Sequence, residues 1–247
     1  MKRPFLILSL FALTAAASIG AQAQTFVSIE GASAWQSRND QRIPGDTGTE
    51  FSIADFGKGP LPAYRIYVGH VWNKRHEIRA LYAPLEAELT GRFDRTVLFI
   101  GTSFAPGVDT QAFYKFNSYR LTYAYHFDKV GDWEWAIGFT GKIRDAEVRL
   151  TQGALRESKS NIGFVPLINI QALRTLGSSW LFRFDVDGLA APQGRAIDAA
   201  FFFEYLIAGP SGRVFAGYRN VEGGADNKEV YNFAWVHYAT LGLRGEF

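Results

Sequence analysis

Two carboxylates stand one residue apart in "SWLFRFDVDGL", residues 179–189, so on an extended strand Asp185 and Asp187 point to the same face. Acids paired in this way can activate a water for hydrolysis if a histidine lies within hydrogen-bond reach. The chain has His70, His76, His126 and His237. In the strand reading below, His126 shares the acids' face but sits at the far end of its strand. His70 and His76 flank a turn at that same far end, and His237 has the opposite parity. No Gly-x-Ser-x-Gly elbow is present, and no serine stands beside an inward histidine, so acyl hydrolysis also lacks its parts. No catalytic residue is assigned, and a hydrolase is the least favoured role.

A second group could bind. "DGLAAPQGRAID" (187–198) and "VEGGADNKEVYNF" (221–233) are expected at one rim of the fold. There Asp185, Asp187, Gln193, Arg195, Asp198, Glu222, Asp226 and Asn227 could converge on a ligand, with glycines allowing close backbone approach. The plain alternative is that these are turn residues chosen for backbone geometry. Asp226, Asn227 and Glu222 offer the oxygen ligands that a hard cation takes, but their spacing matches no loop motif, so neither metal nor cofactor is assigned.

A third group recurs in mid-strand positions: Arg65, Arg79, Arg120, Glu134, Lys142, Arg144, Arg183, Glu204, Arg219 and Arg244. Buried charges are generally paired, so Arg65, Arg120, Glu134, Arg183, Glu204 and Arg219 are expected to form an interior network.

The elements that must carry these residues are strands. "NSYRLTYAYHF" (117–127) sets Tyr119, Leu121, Tyr123, Tyr125 and Phe127 against Arg120, Thr122, Ala124 and His126, a two-residue period. Nine further stretches alternate in the same way, the second near 62–72, the sixth near 159–174 and the tenth running to Phe247. Pro166 predicts a bulge in the sixth, since proline cannot donate to a ladder. Connections at 37–61, 91–117, 152–158, 191–194 and 222–229 alternate with shorter ones at Asn73-Lys74, 128–132, 175–178 and 208–212. That rhythm fits strands running up and down through a membrane with both termini on one side. Val97, Leu98, Phe99 and Ile100 in the second long connection either continue the neighbouring strands or fold back over the mouth.

The apolar faces are broad and aromatic, with Trp72, Trp133, Trp180, Phe127 and Tyr231 at strand ends where a bilayer boundary would lie. No stretch after residue 23 is apolar for long enough to make a membrane helix, so any span is β. Closing the sheet satisfies every backbone group where lipid offers no partner. The reading is all-β: a closed antiparallel up-and-down transmembrane barrel of about ten strands, with eight to twelve as its range. A soluble sandwich with Tyr123, Phe139, Phe182 and Phe203 enclosed is the rival.

The amino terminus fits export. Lys2 and Arg3, an apolar run and Ala21-Gln22-Ala23 form a signal peptide over 1–23, with the barrel domain over 24–247. The 26 basic residues include Lys2 and Arg3, so the exported chain is close to neutral against 24 acids. Charges alternate in sign without a basic stripe, which argues against nucleic acid. There is no cysteine, although export leads to a compartment where disulfides persist.

"YATLGLRGEF" closes the chain on Phe247 with apolar residues at alternating positions. Leader, ten alternating strands and terminal phenylalanine together resemble small Gram-negative outer-membrane β-barrel proteins over residues 24–247. Gly245 stands where another apolar side chain is usual. The resemblance implies an outer-membrane location, lipid as solvent and recognition of the Phe247 end by the barrel-assembly machinery; a monomer is favoured. It implies no activity. A structural or binding barrel with a filled lumen is the leading role, because about eight strands leave only a side-chain-filled interior and open channels need about 16–18. A narrow channel for small solutes is the alternative.

Overall fold

The computed structural model describes residues 24–192, 194–207 and 211–247. The expected leader, 1–23, lies outside the described residues, as does Gln193. Ten strands close into one antiparallel barrel. They are Gln24–Arg42, Leu61–Trp72, a kinked third strand of His76–Ala83 and Glu86–Arg92, Asp109–His126, Trp133–Gln152, Leu155–Thr175, Trp180–Ala191, Gly194–Leu206, Gly212–Asp226 and Tyr231–Glu246. Each pairs with its sequence neighbours, and the first pairs with the tenth from Phe26↔Glu246 to Arg42↔Tyr231. Phe247 completes that seam by exchanging main-chain hydrogen bonds with Thr25, N–H to O at 2.8 Å and 3.1 Å.

The apolar faces look outward. Tyr123, Phe139 and Phe203 are 45%, 51% and 56% exposed on the barrel's outside, and Phe182 lies half-buried beside Phe203, with 5.5 Å between ring centres. A sandwich core is thereby excluded. Trp133 stacks on Trp135, and Trp180 lies against Tyr205, near the ends of their strands. Tyr64, Tyr82 and Tyr119 make a second aromatic row higher up. Two such rows flank the apolar band of a membrane barrel. Among the described residues no helix is long and apolar enough to cross a membrane.

Several strands extend beyond their expected limits on the outer side. The reason is an inversion of the two-residue pattern. Above Tyr119 the fourth strand presents Asp109, Gln111 and Lys115 outward and buries Ala112 and Tyr114, while the fifth presents Asp145, Glu147 and Arg149 outward and buries Val148 and Leu150. Outside the bilayer water surrounds the wall, so the apolar side turns inward. The connection expected at 152–158 is accordingly only Gly153-Ala154, with Gly153 at φ 58° in the left-handed region glycine favours.

The other long connections fold back over the mouth. Val97–Phe99 and Thr102–Phe104 form a small hairpin, so Val97, Leu98 and Phe99 do not extend the barrel wall. Phe51 meets Phe93 and Phe99 edge-on at 5.4 Å and 5.8 Å, and Phe99 reaches Phe104 at 6.3 Å. With Ile43, Ile53, Tyr114, Val148, Leu150 and Val221 they make an enclosed apolar core of the kind a soluble domain has.

Pro166 acts differently from the bulge expected. The fifth and sixth strands pair without a register break from Gln152↔Leu155 to Trp133↔Arg174. On the other side, the sixth strand pairs with the seventh only from Ile168↔Gly188 downward. Proline has no N–H to give that ladder, and the edge from Leu155 to Leu167 leaves the seventh strand there.

Candidate functional site

Parity delivers the mid-strand polar side chains to one level of the lumen. From the eighth strand, Asp198 accepts from Arg65 Nη2 at 2.8 Å and Arg219 Nη1 at 2.6 Å, and pairs with Arg120 Nη2 at 2.7 Å. Arg219 also donates to Glu30, at 3.0 Å and 3.1 Å, and to the Tyr67 hydroxyl at 3.0 Å; the same hydroxyl accepts from Arg65 Nε at 3.0 Å. Asp187 takes Arg120 Nη1 at 2.8 Å and the Thr140 hydroxyl at 2.7 Å. Asp185 takes Arg79 at 2.8 Å and 3.3 Å, and Asn169 donates to both aspartates at 3.0 Å and 2.9 Å. Every one of these groups is buried.

Arg65, Arg79, Arg120 and Arg219 thus face Glu30, Asp185, Asp187 and Asp198, charge for charge. The space left among them is about 10 Å³, roughly what one water needs. Burying a charge without its partner is costly, so the set is held as a unit: removing one member strands the others.

Two wider chambers flank this plug. Below it, about 570 Å³ is lined by Glu77, His126, Arg183, Arg213, Arg244 and Glu246, among others. Glu204 accepts from Arg183 and from Arg213 at 3.3 Å, Glu246 takes Arg244 at 2.8 Å, and Arg183 lies over the Phe202 and Phe215 rings at 4.7 Å and 5.1 Å. Above it, about 480 Å³ is lined by Tyr114, Phe116, Lys142, Arg144, Val165 and Leu189, among others.

The predicted rim cluster is not one site. Asp185, Asp187 and Asp198 lie in the plug rather than at the rim, because the neighbouring strands rise well above the ends of the seventh and eighth. Arg195 and Glu222 pair with each other at the upper chamber, Nε to Oε1 at 2.8 Å. Asn227 Oδ1 accepts the Glu229 and Val230 N–H groups at 2.9 Å and 3.0 Å, which is turn chemistry, and Asp226 is exposed at the end of the ninth strand. Gln193 lies outside the described residues.

The expected interior network also divides. Arg65, Arg120 and Arg219 meet in the plug, whereas Arg183 and Glu204 meet in the lower chamber. Glu134 lines the open end of the lower chamber but bonds neither of them: it is exposed there, 3.3 Å from Lys129. Glu30, Tyr67, Arg79 and Asn169 belong to the plug and lie outside the expected set. Their inward parity was readable, but their partners stand far away in sequence, 106 residues for Arg79–Asp185 and 189 for Arg219–Glu30.

None of the histidines bonds Asp185 or Asp187. His126 bonds Glu77 at 3.1 Å, His70 meets Thr25 at 2.9 Å, His76 meets Tyr123 at 2.8 Å, and His237 contacts Ser37 at 2.8 Å on the outer face. Outside the bilayer, the hydrogen bond and then the charge of Arg92 hold the exposed Asp109 carboxyl below its ordinary range.

The fold has known counterparts. The chain is similar to the outer membrane protease OmpT from Escherichia coli at 10% identity, covering 93% of this chain and 99% of that one with a TM-score of 0.52. It is also similar to Ail, the attachment invasion locus protein of Yersinia pestis, solved with the heparin analogue sucrose octasulfate: 10% identity, 91% and 99% covered, TM-score 0.44. A third is Neisserial surface protein A, at 16% identity, 90% and 97% covered, TM-score 0.37. No family model and no curated protein sequence matches the chain. The architecture is that of a small outer-membrane β-barrel.

Proposed function

We propose that this chain is a non-enzymatic outer-membrane barrel with a closed lumen, structural or ligand-binding in role and acting from its outer side. In this reading residues 1–23 are a cleaved leader, Phe247 ends the strand that the assembly machinery reads, and the barrel sits in lipid as a monomer. The observation that carries it is the plug, whose residual space of about 10 Å³ separates chambers of about 480 and 570 Å³. Hydrolysis would need a free acid pair beside a histidine, and both aspartates here are engaged by arginines and Asn169. Protease activity is therefore not carried over from OmpT.

A narrow channel is the second reading, favoured by the chambers that approach the plug from either side. Single-channel recording of the folded barrel in a planar bilayer separates the two. A closed lumen gives no steady openings, and steady openings of the wild-type protein would establish the channel. Heat-modifiable gel migration verifies the folded state before recording.

A further inference from the structure

Lys142 is the buried cation that the plug does not use. It lies on the fifth strand directly opposite Arg120 and Val165, and its side chain is buried in the wall of the upper chamber. Among the described residues it makes no hydrogen bond and no ion pair; its ammonium rests 4.6 Å from the centre of the Phe116 ring. The acids nearest in the plug are already engaged, Asp198 by three guanidiniums and Asp187 by Arg120 and Thr140. Arg144, next inward on the same strand, adds a second positive charge and leaves its Nε without a partner. Buried charges are generally paired, so a buried amine with no acid beside it is a place for an anionic ligand.

The wall beside this chamber is open at one place. Above Ile168↔Gly188 the sixth strand has no partner on its seventh-strand side. The chamber is lined across that notch by Phe164, Val165 and Pro166 from one edge and Leu189 from the other. Phe164 is 62% exposed on the outer face, opposite Ile143, and Ile143 is opposite Tyr119 of the upper aromatic row. The notch therefore begins inside the apolar band on its outer half. An unpaired strand edge is unfavourable against lipid unless polar atoms reach it.

From above, the chamber is partly roofed. Ile43, Tyr114, Val148 and Val221 line it and also belong to the core made by the outer connections. The plug makes its floor. It is a dead end whose lower wall is apolar along Phe116, Phe164, Val165 and Leu189 and whose upper wall also carries Glu147, Lys159, Arg195 and Glu222, with a side entrance at the level of lipid tails and Lys142 at its base.

We propose that the upper chamber binds a single-chain amphiphile with a carboxylate head, such as a long-chain fatty acid, which enters from the outer leaflet through the notch between the sixth and seventh strands and pairs with Lys142. A volume of about 480 Å³ falls within the roughly 300–1,000 Å³ of sites that hold one small molecule, and so takes one chain rather than a whole lipid. The proposal deepens the binding role and rests on the closed lumen, which gives the chamber its floor.

The test uses the full mature barrel in phosphatidylcholine nanodiscs, titrated with dansyl-labelled undecanoate and read by fluorescence, with empty nanodiscs subtracted. Wild-type protein gives saturable binding that dodecanoate displaces and dodecanol does not. Lys142→Met weakens it about tenfold, the scale of one charge-assisted pair, and Lys142→Arg retains it. Pro166→Val, which restores an N–H to the interrupted ladder, slows association. Absence of saturable binding, equal displacement by dodecanol, or unchanged affinity in folded Lys142→Met overturns the site. An unchanged association rate in Pro166→Val overturns lateral entry. Displacement by lysophosphatidylglycerol but not by dodecanoate assigns the site to a lipid phosphate and overturns the carboxylate. Channel openings by the wild type would refute the closed lumen by a separate measurement, while failed titration leaves the closed lumen standing.

Discussion

Within the bilayer the fourth and fifth strands turn Tyr123 and Phe139 outward and Arg120 and Thr140 inward; above it the same strands turn Lys115 and Glu147 outward and Tyr114 and Leu150 inward. One continuous ladder, from Gln111↔Thr151 to His126↔Ala136, runs through both regions. The backbone does not change, so the inversion is imposed by the solvent around the wall. In lipid, apolar side chains gain nothing from moving inward, and the interior is free to hold charges that neutralise one another. In water the outer part must enclose apolar groups as a soluble protein does. The molecule therefore has two interiors with different sources of cohesion, ion pairs at membrane level and Phe51, Phe93, Phe99 and Phe104 above it.

Three changes sharpen or break that contrast. The largest expected effect is from Asp198→Ala, which leaves Arg65, Arg120 and Arg219 buried around a lost acceptor. Loss of one member of a buried charge set costs about 3–5 kcal/mol, read as a lowered urea midpoint for unfolding of the whole barrel in detergent. A midpoint unchanged from wild type would mean that the plug does not hold the membrane-level interior together.

Phe99→Ala comes next and should act locally. The ring is fully buried in the outer core, and deleting such a ring costs about 3–5 kcal/mol where the effect is coupled to unfolding. Here the loss falls mainly on the outer connections, so limited proteolysis should cut within 43–60 and 93–108 while heat-modifiable migration of the barrel persists. Equal loss of both would show that the two interiors are one cooperative unit.

The smallest effect is at Arg92–Asp109, a fully exposed pair at 2.6 Å. The Asp109 carboxyl is held below its ordinary range in the folded chain, so its contribution is present above the ordinary carboxylate range and is lost as pH falls through the folded value. Solvent screening keeps that contribution small. Asp109→Asn is expected to leave the unfolding midpoint unchanged at neutral pH, and a clear drop would contradict it.

Strand number and facing were legible because Tyr119 to Phe127 and their counterparts alternate apolar with polar over the height of the bilayer. The outer extensions are not legible because Asp109, Lys115 and Glu157 look like loop residues when an apolar exterior is the signal sought. Inward parity marked Arg65, Arg120 and Arg219, yet Glu134 has the same parity and sits at the solvent-exposed mouth. Parity gives a side and not a depth. The same ambiguity puts Asp185, Asp187 and Asp198 at the rim when the sequence is read alone, since nothing in their own strands reveals how far the neighbouring strands rise.

Local pattern settles the wall: ten strands, their two faces, and which face meets lipid, because a two-residue period belongs to each stretch of chain alone. How the lumen is filled depends on closure of the barrel. Glu30 meets Arg219 and Arg79 meets Asp185 because closing the cylinder brings the first strand beside the tenth and sets distant strands face to face across its axis. Tertiary structure likewise decided that Pro166 ends a ladder rather than bulging it, because a ladder is a relation between two strands and neither contains it alone.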